Sequence, residues 1–264
     1  MSRILVIARN TFRENIRDKV LYNLILFALI MILSSIVVGQ LSLGNEVKII
    51  LDFGLASISI FGMLIAVFLG IGLVYKELDK KTIYALLAKP VHRYEFILGK
   101  YLGLLYTLFV NVAIMTAGLE VALIYHGETD WGGFLRLLPA IFMIFLSLAL
   151  ITALALMFST FSSPALSALF TFFLWMAGHF GGDLLQFGEA SKSVLYKQLS
   201  SVLYYIIPNL SVFKIMDSRH IIRSAAYYQP MDPSILGSAF LYCVLYCAVI
   251  VSIAILIFLR RDFK

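Results

Sequence analysis

The chain has 264 residues, of which 61% are hydrophobic and only 14% charged, and its formal net charge is +6. Soluble domains are close to half apolar and about a quarter charged, so this composition excludes a soluble globule. With 17 Gly, 6 Pro and 2 Cys, the chain is also neither collagen-like, disordered nor a disulfide scaffold. The composition predicts an integral membrane protein.

The start of the chain precedes any stretch that could cross a membrane. Apolar residues recur every four positions at Ile4, Ala8, Phe12 and Ile16, and arginines form the neighbouring stripe. This pattern predicts an amphipathic helix over residues 2–18 at the level of the lipid headgroups. The helix is either an elbow beside a cytoplasmic partner or a simple basic anchor.

Six apolar segments follow, each close to the roughly 20 helical residues that cross the hydrocarbon core. Strands of a membrane barrel would be shorter and would alternate with period two, so we predict helices. The segments cover residues 20–38, 53–75, 97–125, 137–158, 164–180 and 235–259. Ser163–Pro164 and Asp232–Pro233 are cap-and-proline starts, and Pro139 falls in the first turn of the fourth segment. The fold class is all-α, with six transmembrane helices in a single domain that spans the whole chain.

Lysine and arginine positions predict the orientation, because short cytoplasmic loops retain basic residues. The N-terminal segment, the loop between the second and third spans and the C-terminus carry five, six and three of them. Both termini are therefore predicted to lie in the cytoplasm. This orientation accounts for most of the positive charge, so no nucleic-acid partner is needed to explain it.

The loop between the second and third spans, residues 76–96, is longer than a connection requires. Residues 77–89 are predicted to form a charged helix parallel to the membrane, and Pro90 ends it. A second short helix from about Tyr94 leads into the third span. The loop is either a structured cytoplasmic element or a solvated run of charge.

The other long connection, residues 181–232, lies on the outer side. Apolar residues at helical spacing over 194–206, with tyrosines among them, predict an interfacial or re-entrant helix that Pro208 ends. The segment either caps the outer end of a pathway or packs on its own spans.

Motifs for catalysis, nucleotide binding and metal binding are missing from the sequence. It contains neither G-x-x-x-x-G-K-[ST] nor H-E-x-x-H, and its four histidines are scattered. Cys243 and Cys247 lie four residues apart in the last span and are interpreted as free thiols that pack as small hydrophobic groups. Asn111 and Glu120 interrupt the third span; Glu120 is either a boundary residue or lines a pathway at its outer mouth.

Two stretches of the sequence resemble a known family. The first is Ile7-Ala8-Arg9-Asn10-Thr11-Phe12-Arg13-Glu14, and the second carries Glu77, Thr82, Leu86-Leu87, Pro90, Arg93, Glu95 and Gly99-Lys100. In these motifs and in its span count, the chain is similar to the membrane permease subunits of type-2 ABC transporters. That class includes the multi-copper maturation, drug and polysaccharide permeases of bacteria.

The resemblance implies a permease that couples ATP hydrolysis by a separate cytoplasmic ATPase to export or mechanical work. Segment 76–96 would be the coupling segment, and several of its residues would contact or orient the ATPase. These are Glu77, Lys80, Lys81, Thr82, Ala85, Pro90 and Arg93. Lys81 stands where the family has a second small residue. The chain itself would bind no cofactor and perform no catalysis, because the ATPase would hold ATP and Mg.

The same resemblance implies a pair of permease copies, identical or not, in the lipid of a bacterial inner membrane. It also implies outer re-entrant helices within 181–232 and a pathway near spans one, two and five. Asn111 and Glu120 are candidate pathway residues because of their position in the third span. The alternative is a secondary carrier or channel outside the ABC class, which would work without nucleotide and respond to Glu120→Gln.

Overall fold

The computed structural model describes residues 3–40, 46–79, 92–126, 131–180, 198, 207–214 and 233–260. Within these residues there are helices and no strand, which confirms the all-α class. The helices are α1 Arg3–Ile16, α2 Lys19–Gln40, α3 Glu46–Asp79, α4 Arg93–Tyr125, α5 Trp131–Ser159, α6 Pro164–His179 and α7 Pro233–Arg260, with a 3₁₀ turn at Leu210–Lys214.

Five of the described helices are long and apolar enough to cross a membrane, namely α2, α3, α4, α5 and α7. The protein is therefore a multi-pass membrane protein. The sixth predicted span corresponds to α6, which has 16 residues and a length of about 24 Å. That is shorter than the hydrocarbon core of about 30 Å, so the count of six stays a prediction.

Two helices extend past the apolar segments that predicted them. α3 begins at Glu46 rather than Phe53 and continues without a break to Asp79, through the point where a separate coupling helix was expected to begin. No Gly or Pro follows Gly72 in α3, so nothing in the backbone ends the helix where the charged residues begin. α5 begins at Trp131, so Pro139 lies inside the helix and not in its first turn. Membrane helices tolerate an internal proline where neighbouring groups satisfy the freed carbonyl.

The long helices alternate in direction. α2 and α3 are antiparallel, because Gly39 packs on Ile50 at one end of the pair while Leu21 and Leu69 line a shared groove at the other. Gly62 packs on Leu148 and Gly70 on Ala155, so α3 and α5 are parallel. Tyr101 contacts Ala149 and Phe109 contacts Phe145, so α4 and α5 are antiparallel. Phe142 contacts Phe240 and Leu146 contacts Cys243, so α5 and α7 are parallel. α3, α5 and α7 therefore run one way, and α2 and α4 run the other. We call the end where α3 ends and α4 begins the basal end.

α4 is the central helix of the bundle. It packs against α1, α2, α3, α5 and α7, and it buries residues along its whole length, from Phe96 to Leu123. A displacement of α4 therefore reaches most of the described helices directly.

A short part of the long connection over 181–232 is described, residues 207–214. Leu210 and Phe213 are buried, and the backbone N–H of Asn209 donates to the hydroxyl of Tyr242 on α7 at 2.9 Å. The carbonyl of Pro208 lies close against Gly178 on α6. This part packs on its own helices, and the helix expected over 194–206 lies outside the described residues apart from Gln198.

Candidate functional site

The first residue of α4 is joined to the last turn of α7. The guanidinium Nη1 of Arg93 donates to the carbonyl oxygens of Phe258 at 3.2 Å and Leu259 at 2.9 Å. The last carbonyls of a helix have no partner within it, and a cation there also complements the helix dipole. Arg93 therefore holds the start of α4 to the end of α7, two points 165 residues apart in the sequence.

The same turn of α4 also contacts α1. The carboxylate of Glu95 accepts a hydrogen bond from the backbone N–H of His92 at 3.0 Å, which caps the helix. One of its oxygens lies 3.8 Å from Nη1 of Arg3. This pair is partly exposed and contributes little to stability by itself, but it orients the start of α1 toward the start of α4.

α1 lies along a face of α4 that is made of small residues. Gly99 packs on Ile7 and Gly103 on Thr11, so closely that an added Cβ would meet Ile7 and Thr11 at 2.7 and 2.6 Å. One turn further, Nδ2 of Asn15 donates to Oγ1 of Thr107 at 3.2 Å. Residue numbers rise together on both helices, so α1 runs parallel to α4. The predicted amphipathic helix is present, and its contact face is the one that carries Thr11 and Asn15.

Lys100 is buried in this contact, with 1% of its surface exposed. Its Nζ lies 3.8 Å from a carboxylate oxygen of Glu14 on α1 and 5.5 Å from the ring centroid of Phe96. A buried ammonium costs several kcal/mol unless charges and dipoles compensate it. The carboxylate and the aromatic face both provide such compensation, so charge as well as shape holds α1 on α4.

The expected coupling segment enters the fold between α3 and α4. Of its proposed contact residues, Glu77 lies in the last turn of α3 and Arg93 begins α4. The others, Lys80, Lys81, Thr82, Ala85 and Pro90, lie outside the described residues. Since α3 continues past Gly72 to Asp79, it carries the segment about 10 Å further along its axis.

The two polar residues expected near a pathway are not brought together. Asn111 is buried and Glu120 is half-buried, both on α4. Nine residues are two and a half helical turns, so they lie on opposite faces and about 13 Å apart along the axis. Among the described residues, neither Nδ2 of Asn111 nor Oε2 of Glu120 has a hydrogen-bond partner. Near the far end of α4, Nδ1 of His126 lies 3.4 Å from a carboxylate oxygen of Glu46, the first residue of α3.

The two cysteines are free and buried, as predicted. The thiol of Cys243 donates to the carbonyl of Leu146 at 3.3 Å, and its sulfur lies 3.9 Å from that of Cys247. Within the described part of the chain, no three His, Cys, Asp or Glu residues converge on a point that could hold a metal ion.

Sequence reasoning missed the face that binds α1. Gly99 and Lys100 entered the analysis only as letters of a family pattern, and Glu14 only as part of the amphipathic start. The spacing Gly99, Gly103, Thr107 is nevertheless a repeat of small residues every four positions, which is typical of close helix contacts in membranes. That spacing could have identified the face, though not its partner.

Comparison with known proteins extends these observations. Residues 5–263 match the family model described as "ABC-2 family transporter protein". No curated protein matches the chain significantly. The family match covers all but the first two residues of α1, the long helices described here and the loop between α3 and α4, so the resemblance seen in the sequence is confirmed. The chain belongs to the ABC-2 family of transporter proteins.

Proposed function

We propose that this chain is the permease subunit of an ATP-driven transporter and that a separate cytoplasmic ATPase docks on it at the basal end. The observation that carries the proposal is the junction at the start of α4. There, Arg93 joins α4 to α7, and Glu95 and Lys100 join it to α1. The segment that links α3 to α4 enters this junction directly.

The lengths of α3 and α4 support a mechanical role for this junction. With 34 and 33 residues they are each about 50 Å long, against about 30 Å of hydrocarbon. A load on the segment between them acts on two stiff helices at once. Through the contacts of Arg93 and Lys100, the same load also reaches α7 and α1.

Within this proposal the coupling residues have two roles. Glu77, Lys80, Lys81, Thr82, Ala85 and Pro90 contact the ATPase. Arg93 is directed at the carbonyls of α7, and it therefore positions the segment instead of contacting the partner.

The rest of the assembly follows from the same proposal. The ATPase holds ATP and Mg, and this chain supplies no catalytic group and binds no cofactor. Two permease copies pair within the lipid of a bacterial inner membrane, with both termini in the cytoplasm. The work done is export or a mechanical change in the membrane.

Charge reversal in the coupling segment tests the proposal. The tagged protein is purified in mild detergent, and co-purifying proteins that carry G-x-x-x-x-G-K-[ST] are quantified by mass spectrometry. Lys80→Glu and Lys81→Glu should each reduce recovery of the ATPase about tenfold or more, because like charges at an interface cost several kcal/mol. Lys48→Glu is the matched control, since Lys48 is exposed near the opposite end of α3.

Two results would contradict the proposal. One is that no protein with this nucleotide-binding motif accompanies the unmodified chain. The other is that Lys80→Glu and Lys81→Glu recover as much ATPase as Lys48→Glu does, with all variants eluting as the unmodified protein does in gel filtration.

A further inference from the structure

A groove of about 200 Å³ opens between the first turns of α2 and the part of α3 that faces them. Its apolar walls are Val20, Leu21 and Leu24 of α2 and Ile65, Phe68 and Leu69 of α3. Asp18 lies at the end of the groove that is nearer the basal end. Ile65 and Leu21 are buried and form the floor, whereas Phe68 and Val20 are about half exposed and form the rim.

The groove lies at the depth expected for the part of a lipid tail that is nearest its headgroup. Its α2 wall starts at Val20, directly after the first residue of the helix, and ends at Leu24. These residues occupy the first 8 Å or so of the helix, at the start of the apolar span that runs from Lys19 to Gln40. Apolar cavities of this kind do not hold water, which needs polar partners. The volume suits several methylene groups of an acyl chain.

The chain around the mouth of the groove is positively charged. Arg17 and Lys19 flank Asp18 and are exposed, and Arg13 is exposed one turn earlier. The carboxylate of Asp18 accepts a hydrogen bond from the backbone N–H of Val20 at 3.0 Å, so it caps α2. The start of a helix also carries a partial positive charge. An anionic headgroup is therefore complementary to this mouth.

We propose that the groove binds one acyl chain of an anionic phospholipid from the surrounding leaflet, with its phosphate held by Arg17 and Lys19. The apolar walls select a lipid tail, and the two cations select a headgroup with net negative charge. A bound lipid fills the space between α2 and α3, next to the end of α1's contact with α4, where Asn15 meets Thr107. The site is independent of the docking of an ATPase.

Quenching of a single tryptophan by brominated lipids tests the site. Phe68→Trp is made in a background without the two native tryptophans, Trp131→Phe and Trp175→Phe, and reconstituted in mixtures of dibrominated phosphatidylglycerol or phosphatidylcholine. Leu166→Trp in the same background is the control. Leu166 is exposed near the basal start of α6, in a stretch, residues 137–191, that has no Lys or Arg.

Phosphatidylglycerol should quench the tryptophan at position 68 with a higher apparent affinity than phosphatidylcholine. We expect the ratio of affinities to be about fivefold for each cation, because that is the effect of attracting one Lys or Arg to an anionic leaflet. The tryptophan at position 166 should show no preference. Arg17→Gln with Lys19→Gln should abolish the preference at 68 and leave quenching by phosphatidylcholine unchanged.

Three outcomes would overturn the proposal. An equal preference for phosphatidylglycerol at positions 68 and 166 would show that the groove makes only ordinary contact with the surrounding lipid. A preference that survives Arg17→Gln with Lys19→Gln would remove the headgroup site. Protection of position 68 from both lipids would show that protein, such as a second copy of the chain, covers the groove.

Discussion

Lys100 illustrates how a charge can be retained inside a membrane protein. It is among the largest fully buried side chains of the described residues, and it places an ammonium group between α1 and α4. The carboxylate of Glu14, with 38% of its side chain exposed, connects this buried charge to the surface. The pair specifies how α1 lies on α4, because any rotation of α1 would separate the ammonium from the carboxylate.

A charge swap measures this pair. Lys100→Glu places a second carboxylate beside that of Glu14. It should destabilise the protein by about 3–5 kcal/mol, which is the cost of breaking a buried ion pair. Glu14→Lys combined with Lys100→Glu should recover part of that loss. Thermal unfolding in detergent measures both variants. A double variant no more stable than Lys100→Glu alone would show that the two charges do not interact.

Arg93 gives a second prediction at this scale. Arg93→Ala removes two hydrogen bonds from a cation to the last carbonyls of α7, each worth about 1.5–3 kcal/mol. We expect lower stability and faster hydrogen exchange in the last turn of α7. Arg3→Ala is the control, since its side chain is about half exposed and its pair with Glu95, at 3.8 Å, contributes at most about 1 kcal/mol. If the last turn of α7 exchanged no faster in Arg93→Ala than in Arg3→Ala, Arg93 would not hold the start of α4 to the end of α7.

At the scale of helices, the face of α4 that binds α1 depends on having no side chain at Gly103. A Cβ there would lie 2.6 Å from Cβ of Thr11 and 2.7 Å from the carbonyl oxygen of Ala8. Backbone atoms cannot turn aside, so α1 must move away. Gly103→Val should cost about 1–3 kcal/mol, as overpacking does.

Limited trypsin digestion measures that displacement, because α1 contains Arg9 and Arg13. Gly103→Val should be cleaved faster in α1 than the unmodified protein. The matched control is Gly237→Val in α7, where an added Cβ meets nothing within 4 Å. Equal rates of cleavage in the two variants would indicate that α1 does not depend on Gly103.

The sequence predicted that these helices exist better than it predicted where they end. Long apolar runs identify membrane helices because the lipid excludes anything else, and α2 and α7 lie close to the predicted segments. Hydropathy does not report on a helix that continues through charged residues, so α3 extends past the predicted span at both ends. Ser163 and Pro164 did mark the start of α6, because capping is a local property.

The candidate site was less predictable than the helices. Arg93 was selected through a family resemblance, but its contact with Phe258 and Leu259 depends on how distant helices pack. The same holds for Lys100, whose partner Glu14 lies on a helix that the sequence placed at the membrane surface. Local patterns indicate which residues are available, and the packing determines which of them meet.

At the scale of the whole molecule, one substitution distinguishes an ATP-driven permease from an ion-coupled carrier. Within the apolar segments predicted from the sequence, Glu120 is the carboxylate that could make this chain an ion-coupled carrier, and Asn111 lies on the opposite face of its helix. Glu120→Gln should therefore leave the ATP hydrolysis rate of the reconstituted permease–ATPase complex unchanged, with or without a proton gradient. A loss of gradient-dependent activity would instead favour the carrier alternative.

The unbroken course of α3 has a consequence for both faces of the bilayer. Because the backbone hydrogen bonds of α3 are continuous, the helix has no hinge along its length. A displacement of Asp79 along the axis therefore also displaces Glu46. The carboxylate of Glu46 lies 3.4 Å from Nδ1 of His126, the residue that follows the end of α4. A displacement of one end of α3 would therefore reach the other end, and with it the end of α4, along a single helix and without intervening loops.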